Sequence, residues 1–298
     1  MRIKKEVRIG LQVALLTIIM FLSFSLASQL LDLRGDGAEL SPEKAAETGI
    51  IFLGAVFLMT VSLTYPIIRS KWSGWKLMVA VFGIFYGIYT FLSQIESVVF
   101  LKYLVDIIEV DLLPRLFLQG LIVAGIFAPL SVIILGKLKP AQKTVESKPR
   151  LVMPVVEWTW KLGIIALVYM VLYFGCGFFI AWQSPAVQEF YRGLVMPGWI
   201  LPFQVARALI WVSLAVPVIR MMKGRVWEAG LAVALLFSVL MAVLLLVPNN
   251  PVMPDQVRMA HFVEIMISNF IFGWVVVGVL NMKIVGKKKQ KEHMCDII

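Results

Sequence analysis

Apolar residues occur in eight long runs along the chain, and a short polar segment separates each run from the next. A helix needs about 20 apolar residues to cross about 30 Å of hydrocarbon. Within each run the apolar residues are continuous and do not alternate with polar ones, which favours helices over the strands of a membrane barrel. The pattern predicts transmembrane helices near residues 9–31, 49–68, 76–97, 113–136, 158–181, 199–219, 227–247 and 259–282.

The composition agrees with a protein that has lipid as its solvent. Hydrophobic residues make up 60% of the chain and charged residues only 15%, whereas soluble domains average about 45–50% and 25%. The sequence therefore predicts an all-α, polytopic integral membrane bundle whose main partner is the lipid bilayer. The net charge of +10 does not indicate a nucleic-acid partner, because the basic residues lie in short connections between apolar runs.

The distribution of lysine and arginine predicts the orientation. With the N-terminus in the cytoplasm, 20 basic residues fall on the cytoplasmic side, six on the other side and two inside runs. Such an imbalance is typical of cytoplasmic loops. We expect a multi-pass protein of a bacterial plasma (inner) membrane with both termini in the cytoplasm. The alternative for the first run is a cleavable signal peptide ending near Ser25-Leu26-Ala27-Ser28, although the run is long for one.

Two stretches of the chain match each other in the order of their features. Pro66-Ile67-Ile68-Arg69 closes the second run and Pro217-Val218-Ile219-Arg220 closes the sixth, and a basic loop and a tryptophan follow each. In the fourth and eighth runs, Gln119 stands opposite Glu264. These matches predict two parallel four-helix repeats, with chance similarity between apolar helices as the alternative. The predicted division is a first repeat at 1–139, a cytoplasmic linker at 140–156, a second repeat at 157–284 and a basic cytoplasmic tail at 285–298.

Three short motifs carry a resemblance that extends over nearly the whole chain. They are Gln94-Ile95-Glu96, Ala181-Trp182-Gln183-Ser184-Pro185, and His261-Phe262-Val263-Glu264 followed by Ser268-Asn269-Phe270. With this organisation, the chain resembles a family of uncharacterised bacterial polytopic membrane proteins with a tandem four-helix repeat. The resemblance implies the fold and brings no activity with it.

Polar residues inside the runs are the candidates for a binding site. His261, Glu264, Ser268 and Asn269 have a spacing that places them on one stripe of a helix. The polar residues of the fourth, sixth and eighth runs all occur near the outer ends, and ionisable groups at such depth usually face the bundle or a wet cavity. We expect an outer-leaflet pocket whose candidate ligand-binding residues are Glu96, Gln119, Gln204, Arg207, His261, Glu264, Ser268 and Asn269.

Each of these residues also has a structural interpretation. Glu96 can be an interfacial residue, and Glu264 can form an ion pair with Arg207. His261 can be a hydrogen-bonded residue at a helix end, while Ser268 and Asn269 can join helices.

Three functions remain open from the sequence. The first is a transporter or ligand-binding protein for a small polar or amphiphilic molecule, in which Arg207 and His261 suit an anion and Glu264 and Glu96 suit a cation or a proton. Against transport, no unwound helix is evident. The second is a metal-dependent intramembrane hydrolase using His261 and Glu264, although no catalytic motif or metal-binding spacing is present and we predict no metal site or cofactor. The third is a structural or accessory subunit for an unknown protein partner.

Overall fold

The computed structural model describes residues 2–33, 41–104, 111–140, 151–248 and 253–283. These residues are helical, without strands, and include eight helices that are long and apolar enough to cross a membrane. The predicted all-α polytopic bundle is thereby confirmed. The predicted tail at 285–298 and most of the predicted linker at 140–156 lie outside the described residues.

The described residues form ten α-helices and three further helical segments of other types. Tyr86–Phe91 is π-helical and joins α3 to α4 within the third span, Ala181–Gln183 is a 3-10 turn after the fifth span, and Val243–Leu246 is a 3-10 turn that ends the seventh. The helices are α1 (Arg2–Leu30), α2 (Pro42–Ile68), α3 (Gly74–Phe85), α4 (Leu92–Leu104), α5 (Leu112–Ile134), α6 (Val155–Phe179), α7 (Pro185–Phe190), α8 (Ile200–Met221), α9 (Val226–Ala242) and α10 (Asp255–Asn281).

Several helices extend beyond the apolar runs because polar residues can form their first turns. Helix α2 begins at Pro42, well before the predicted start at residue 49. The hydroxyl of Ser41 accepts a hydrogen bond from the backbone N–H of Lys44 at 3.4 Å, which caps the helix. Helix α10 likewise follows Pro254 and has Asp255 in its first turn, where a carboxylate is favoured by the helix dipole.

Corresponding helices have corresponding neighbours in the two halves of the chain. Helix α1 packs against α2 and α5, and α6 packs against α8 and α10. The halves meet where α2 contacts α9 and where α8 contacts α3. These matching contacts within and between the halves support the proposed duplication, which stays a prediction.

The basic ends of the spans are joined by a reciprocal pair of backbone hydrogen bonds. The N–H of Lys71 donates to the carbonyl of Met221 at 2.7 Å, and the N–H of Lys223 donates to the carbonyl of Arg69 at 2.8 Å. Arg69 also forms an ion pair with Glu228, at the start of α9. We call this side of the bundle the basic end, and the opposite side the far end.

In each half, a side chain on the first helix also donates hydrogen bonds to the C-terminal end of the last helix. The Gln12 side chain on α1 donates to the carbonyl of Ile134, the last residue of α5. In the second half, the buried Lys161 on α6 donates to the carbonyls of Leu280 at 2.9 Å and Met282 at 2.8 Å. Both side chains satisfy carbonyls that a helix C-terminus leaves without partners.

Helices α9 and α10 approach each other closely at one glycine. A Cβ atom added to Gly273 would lie 2.5 Å from the Cα atom of Ala234. The absence of a side chain at Gly273 therefore sets the distance between the two helices, as small residues do in membrane bundles.

Candidate functional site

A cavity of about 570 Å³ lies at the far end of the bundle. Side chains from α4, α6, α7, α8, α9 and α10 line it, together with the segment 191–196 that leads from α7 towards α8. Cavities of roughly 300–1,000 Å³ are the usual size for small-molecule sites. The cavity is large enough for a molecule with a short apolar chain.

A buried ion pair forms one wall of the cavity. The Nη2 atom of Arg207 lies 2.9 Å from Oε2 of Glu96, and the Arg207 side chain is only 2% exposed. The other oxygen of Glu96 accepts a hydrogen bond from the hydroxyl of Tyr173 at 2.6 Å. Both oxygens of Glu96 and the charge of Arg207 are therefore engaged within the protein, which offsets the cost of burying them.

The π-helical segment lies directly before this ion pair. A π-helical turn holds one residue more than an α-helical turn and often occurs at functional sites. Arg207 donates a second hydrogen bond to the carbonyl of Leu92, the residue that follows Tyr86–Phe91, at 3.2 Å. This irregular segment could not be predicted, because apart from Thr90 its residues are apolar or aromatic like those around it.

A second polar group on α10 faces the same cavity. Nδ1 of His261 lies 2.8 Å from Oε2 of Glu264, and Nε2 of His261 lies 3.1 Å from the hydroxyl of Tyr191. Burial, with a further contribution from Glu96 and Glu264, raises the pKa of the Tyr191 hydroxyl above its ordinary value. The Tyr191 hydroxyl therefore stays protonated and can donate a hydrogen bond to Nε2 of His261, in the tautomer whose Nδ1–H donates to Glu264.

Apolar and aromatic side chains form most of the remaining lining, which also includes the polar residues Ser93, Ser97, Ser268 and Asn269. Trp211 and Phe272 lie in the buried core, where the Phe237 ring packs against both, with ring centroids 4.3 Å and 6.0 Å apart. Trp182 and Phe190, on the connection between α6 and α8, line the cavity from another side. The site thus combines two polar clusters with a mainly apolar lining.

The structure brings six of the eight candidate residues to this cavity. Its lining includes Glu96, Arg207, His261, Glu264, Ser268 and Asn269. The contacts differ from the Arg207–Glu264 ion pair considered in the sequence, because Arg207 pairs with Glu96 and Glu264 contacts His261.

Two candidate residues lie elsewhere. Gln204 is fully buried and accepts a hydrogen bond from Nη1 of Arg207 at 3.3 Å, so that it contacts the cavity only through Arg207. Gln119 lines a separate, smaller cavity of about 490 Å³, where residues of the first half meet Leu244 and Val247 at the end of the seventh span. Its side chain donates to the hydroxyl of Ser28 at 2.9 Å.

Sequence reasoning missed the tyrosines that complete both clusters. Tyr173 lies on α6 and binds Glu96, while Tyr191 follows α7 and binds His261. The available signal was the pair Tyr169 and Tyr173, one turn apart in an otherwise apolar run. Tyr191 carried no such signal, because it lies in a connection whose path the sequence does not define.

The described residues form no cluster of metal-binding side chains. Among them, no three His, Cys, Asp or Glu side chains lie close enough together to hold one. Catalytic zinc sites use three protein ligands. The hypothesis of a metal-dependent hydrolase therefore gains no support from the part of the chain that the structure describes.

No protein-family model, curated protein or solved structure matches the chain. The resemblance suggested by the three sequence motifs stays a prediction.

Proposed function

We propose that this membrane protein binds a small amphiphilic molecule in the far-end cavity. The observation that carries the proposal is the cavity itself: about 570 Å³ of space beside the paired groups of Glu96, Arg207, His261 and Glu264. Binding sites commonly combine a mainly apolar lining with a few placed polar groups. A polar head would lie against these clusters, and an apolar chain would pack against the aromatic lining.

The cavity favours binding over a purely structural role for these residues. Side chains that only join helices need no space between them, and charged groups inside a span are costly to maintain. Yet Glu96 is 27% exposed and His261 is 20% exposed at the cavity, although each has protein partners. Their contact with open space is what a binding site requires.

Transport of the bound molecule is the second candidate function. It is supported by the contacts that α2 makes with α9 and α8 makes with α3 between the two halves, because sites at the interface of two repeats are common in transporters. The π-helical Tyr86–Phe91 interrupts the third span, and the 3-10 turn Val243–Leu246 ends the seventh span beside this site. Movement of a labelled ligand into proteoliposomes that contain the protein tests this function.

Photoaffinity labelling tests the binding proposal directly. The full chain in lipid nanodiscs would be exposed to an alkyl diazirine with a hydroxyl head, with and without an excess of the same alcohol lacking the diazirine. We expect saturable labelling of peptides that contain Tyr173, Tyr191 or Trp182, and the excess alcohol should suppress it. Labelling confined to lipid-facing residues such as Leu167, or insensitive to the competitor, would contradict the proposal.

A further inference from the structure

We infer that the cavity selects an amphiphile with a cationic head, an amine or ammonium group, which the carboxylate of Glu264 binds. This inference rests on the proposed function, since it names the ligand class of the same cavity. The ammonium would donate a hydrogen bond to Oε1 of Glu264, and the chain would extend along the apolar lining.

The ionisable residues that line the cavity do not carry a net positive charge. The ionisable residues in its lining other than tyrosines are Glu96, Arg207, His261 and Glu264. Two carboxylates face one guanidinium, so the lining carries one net negative charge when His261 is neutral and none when His261 is protonated. Arg207 is already paired with Glu96 at 2.9 Å. An anionic head would therefore meet no uncommitted cation among these residues.

Glu264 lines the cavity, and one of its two carboxylate oxygens has no hydrogen-bond partner among the described residues. Its Oε2 atom is bound by His261, whereas no hydrogen bond reaches Oε1 from any residue that the structure describes. Oε1 lies beside Gly177 of α6, where an added Cβ atom would be 3.6 Å away. A carboxylate oxygen in a low-dielectric site strongly favours a charged hydrogen-bond donor.

In the first half of the chain, the residue aligned with Glu264 has a hydrogen-bond partner within the protein. Gln119 stands opposite Glu264 in the aligned helices, and its amide nitrogen donates a hydrogen bond to the hydroxyl of Ser28 on α1. The contacts of Gln12 and Lys161 with the last turns of α5 and α10 place Ser28 opposite Gly177 along the paired helices. The second half thus has a carboxylate in place of the amide and no side chain in place of the hydroxyl.

Aromatic rings complete a site for a cation. Tyr173, Trp182, Phe190 and Tyr191 all line the cavity. Ring faces attract ammonium groups, more strongly where water is excluded. The same rings provide apolar surface for the methylene groups next to the head.

Three photoreactive amphiphiles with one common alkyl diazirine chain test the inference. They differ only in the head, which is a primary ammonium, a hydroxyl or a carboxylate, and each is titrated on the full chain in nanodiscs of zwitterionic lipid. We expect the ammonium probe to half-saturate the cavity peptides at a concentration at least about tenfold below that of the hydroxyl probe. Glu264→Gln should remove this preference, and the control Glu189→Gln, at a carboxylate 67% exposed on α7, should retain it.

A second variant covers the case in which Glu264→Gln does not fold. Gly177→Ser keeps the carboxylate and places a hydroxyl donor beside Oε1, so it should weaken the ammonium probe severalfold and leave the hydroxyl probe nearly unchanged. Tighter binding of the carboxylate probe, or an ammonium preference that survives both variants, would overturn the inference and leave the binding site intact. Failure of all three probes to label the cavity would instead overturn the proposed function.

Discussion

The guanidinium of Arg207 on α8 lies 2.9 Å from the carboxylate of Glu96 on α4. This pair joins the second half of the chain to the first at the far end, as Arg69 and Glu228 join them at the basic end. Because the pair also forms one wall of the cavity, the integrity of the bundle and the shape of the proposed site depend on the same contact.

Removing one member of this pair should destabilise the protein. In Glu96→Gln, the nearly inaccessible Arg207 keeps its charge without a counter-ion, and the loss of one partner of a buried pair costs about 3 kcal/mol. We expect a clearly lower midpoint of thermal unfolding in detergent, followed by fluorescence-detected size exclusion. The control is Glu189→Gln, whose partner Arg192 is 78% exposed, and it should change the midpoint little.

The double variant Glu96→Gln, Arg207→Met separates lost pairing from lost packing. A buried pair replaced by uncharged side chains of similar size is often nearly neutral, so the double variant should recover at least half of the loss. If the double variant loses as much stability as the two single variants combined, the charge pair is not the cause of the destabilisation.

Close packing of α9 and α10 predicts different outcomes for two glycines on the same helix. Gly273→Ala would bring a Cβ atom to 2.5 Å from the backbone of Ala234, whereas a Cβ at Gly278 meets no atom within 4 Å. Overpacking costs about 1–3 kcal/mol, so Gly273→Ala should lower the unfolding midpoint. Gly278→Ala should leave it unchanged or raise it, because alanine favours helix over glycine by about 1 kcal/mol. Equal effects of the two substitutions would refute the close approach.

The stability of the last turn of α10 should depend on Lys161. In Lys161→Met, the carbonyls of Leu280 and Met282 lose a charged donor, and each such hydrogen bond contributes about 1.5–3 kcal/mol. We expect faster amide hydrogen exchange in the peptide that covers residues 276–283, measured by mass spectrometry. Glu157→Gln removes the ion pair of Lys161 but keeps both carbonyl bonds, so exchange there should stay close to that of the parent protein.

Cysteine labelling in intact bacterial cells tests the predicted orientation. In a Cys176→Ser, Cys295→Ser background, Gly193→Cys lies exposed at the far end and Lys139→Cys lies exposed at the basic end. If the basic end faces the cytoplasm, a membrane-impermeant maleimide should label position 193 in intact cells and position 139 only after permeabilisation. The reverse pattern would invert the topology.

The spans and most members of the cavity could be predicted because both follow from local patterns. Lipid requires long apolar helices, and the spacing of His261, Glu264 and Ser268 places them on one stripe whatever the neighbouring helices are. The helix starts were less accurate, since a capped polar turn such as that at Ser41 and Pro42 extends a helix beyond its apolar run.

Pairing across the bundle could not be predicted. Glu96 and Arg207 are 111 positions apart in the sequence, and their contact depends on how α4 rotates after the π-helical turn. Gln119 has the same kind of sequence signal as Glu264, yet it lies in the other half of the bundle and binds Ser28. A single sequence gives the depth of a polar residue along a span, while the direction in which its helix packs sets its partner.

The most direct test of the central claim is the stoichiometry of bound amphiphile in two leucine variants of α6, measured by native mass spectrometry. Gly177 lines the cavity and an added Cβ atom there lies 3.6 Å from Oε1 of Glu264, whereas a Cβ atom added at Gly175, two residues away, meets no atom within 4 Å. With the ammonium amphiphile at a concentration that saturates the parent protein, we predict one bound molecule in Gly175→Leu and loss of that molecule in Gly177→Leu, with both variants folded. Equal occupancy in the two variants would contradict a ligand site in this cavity.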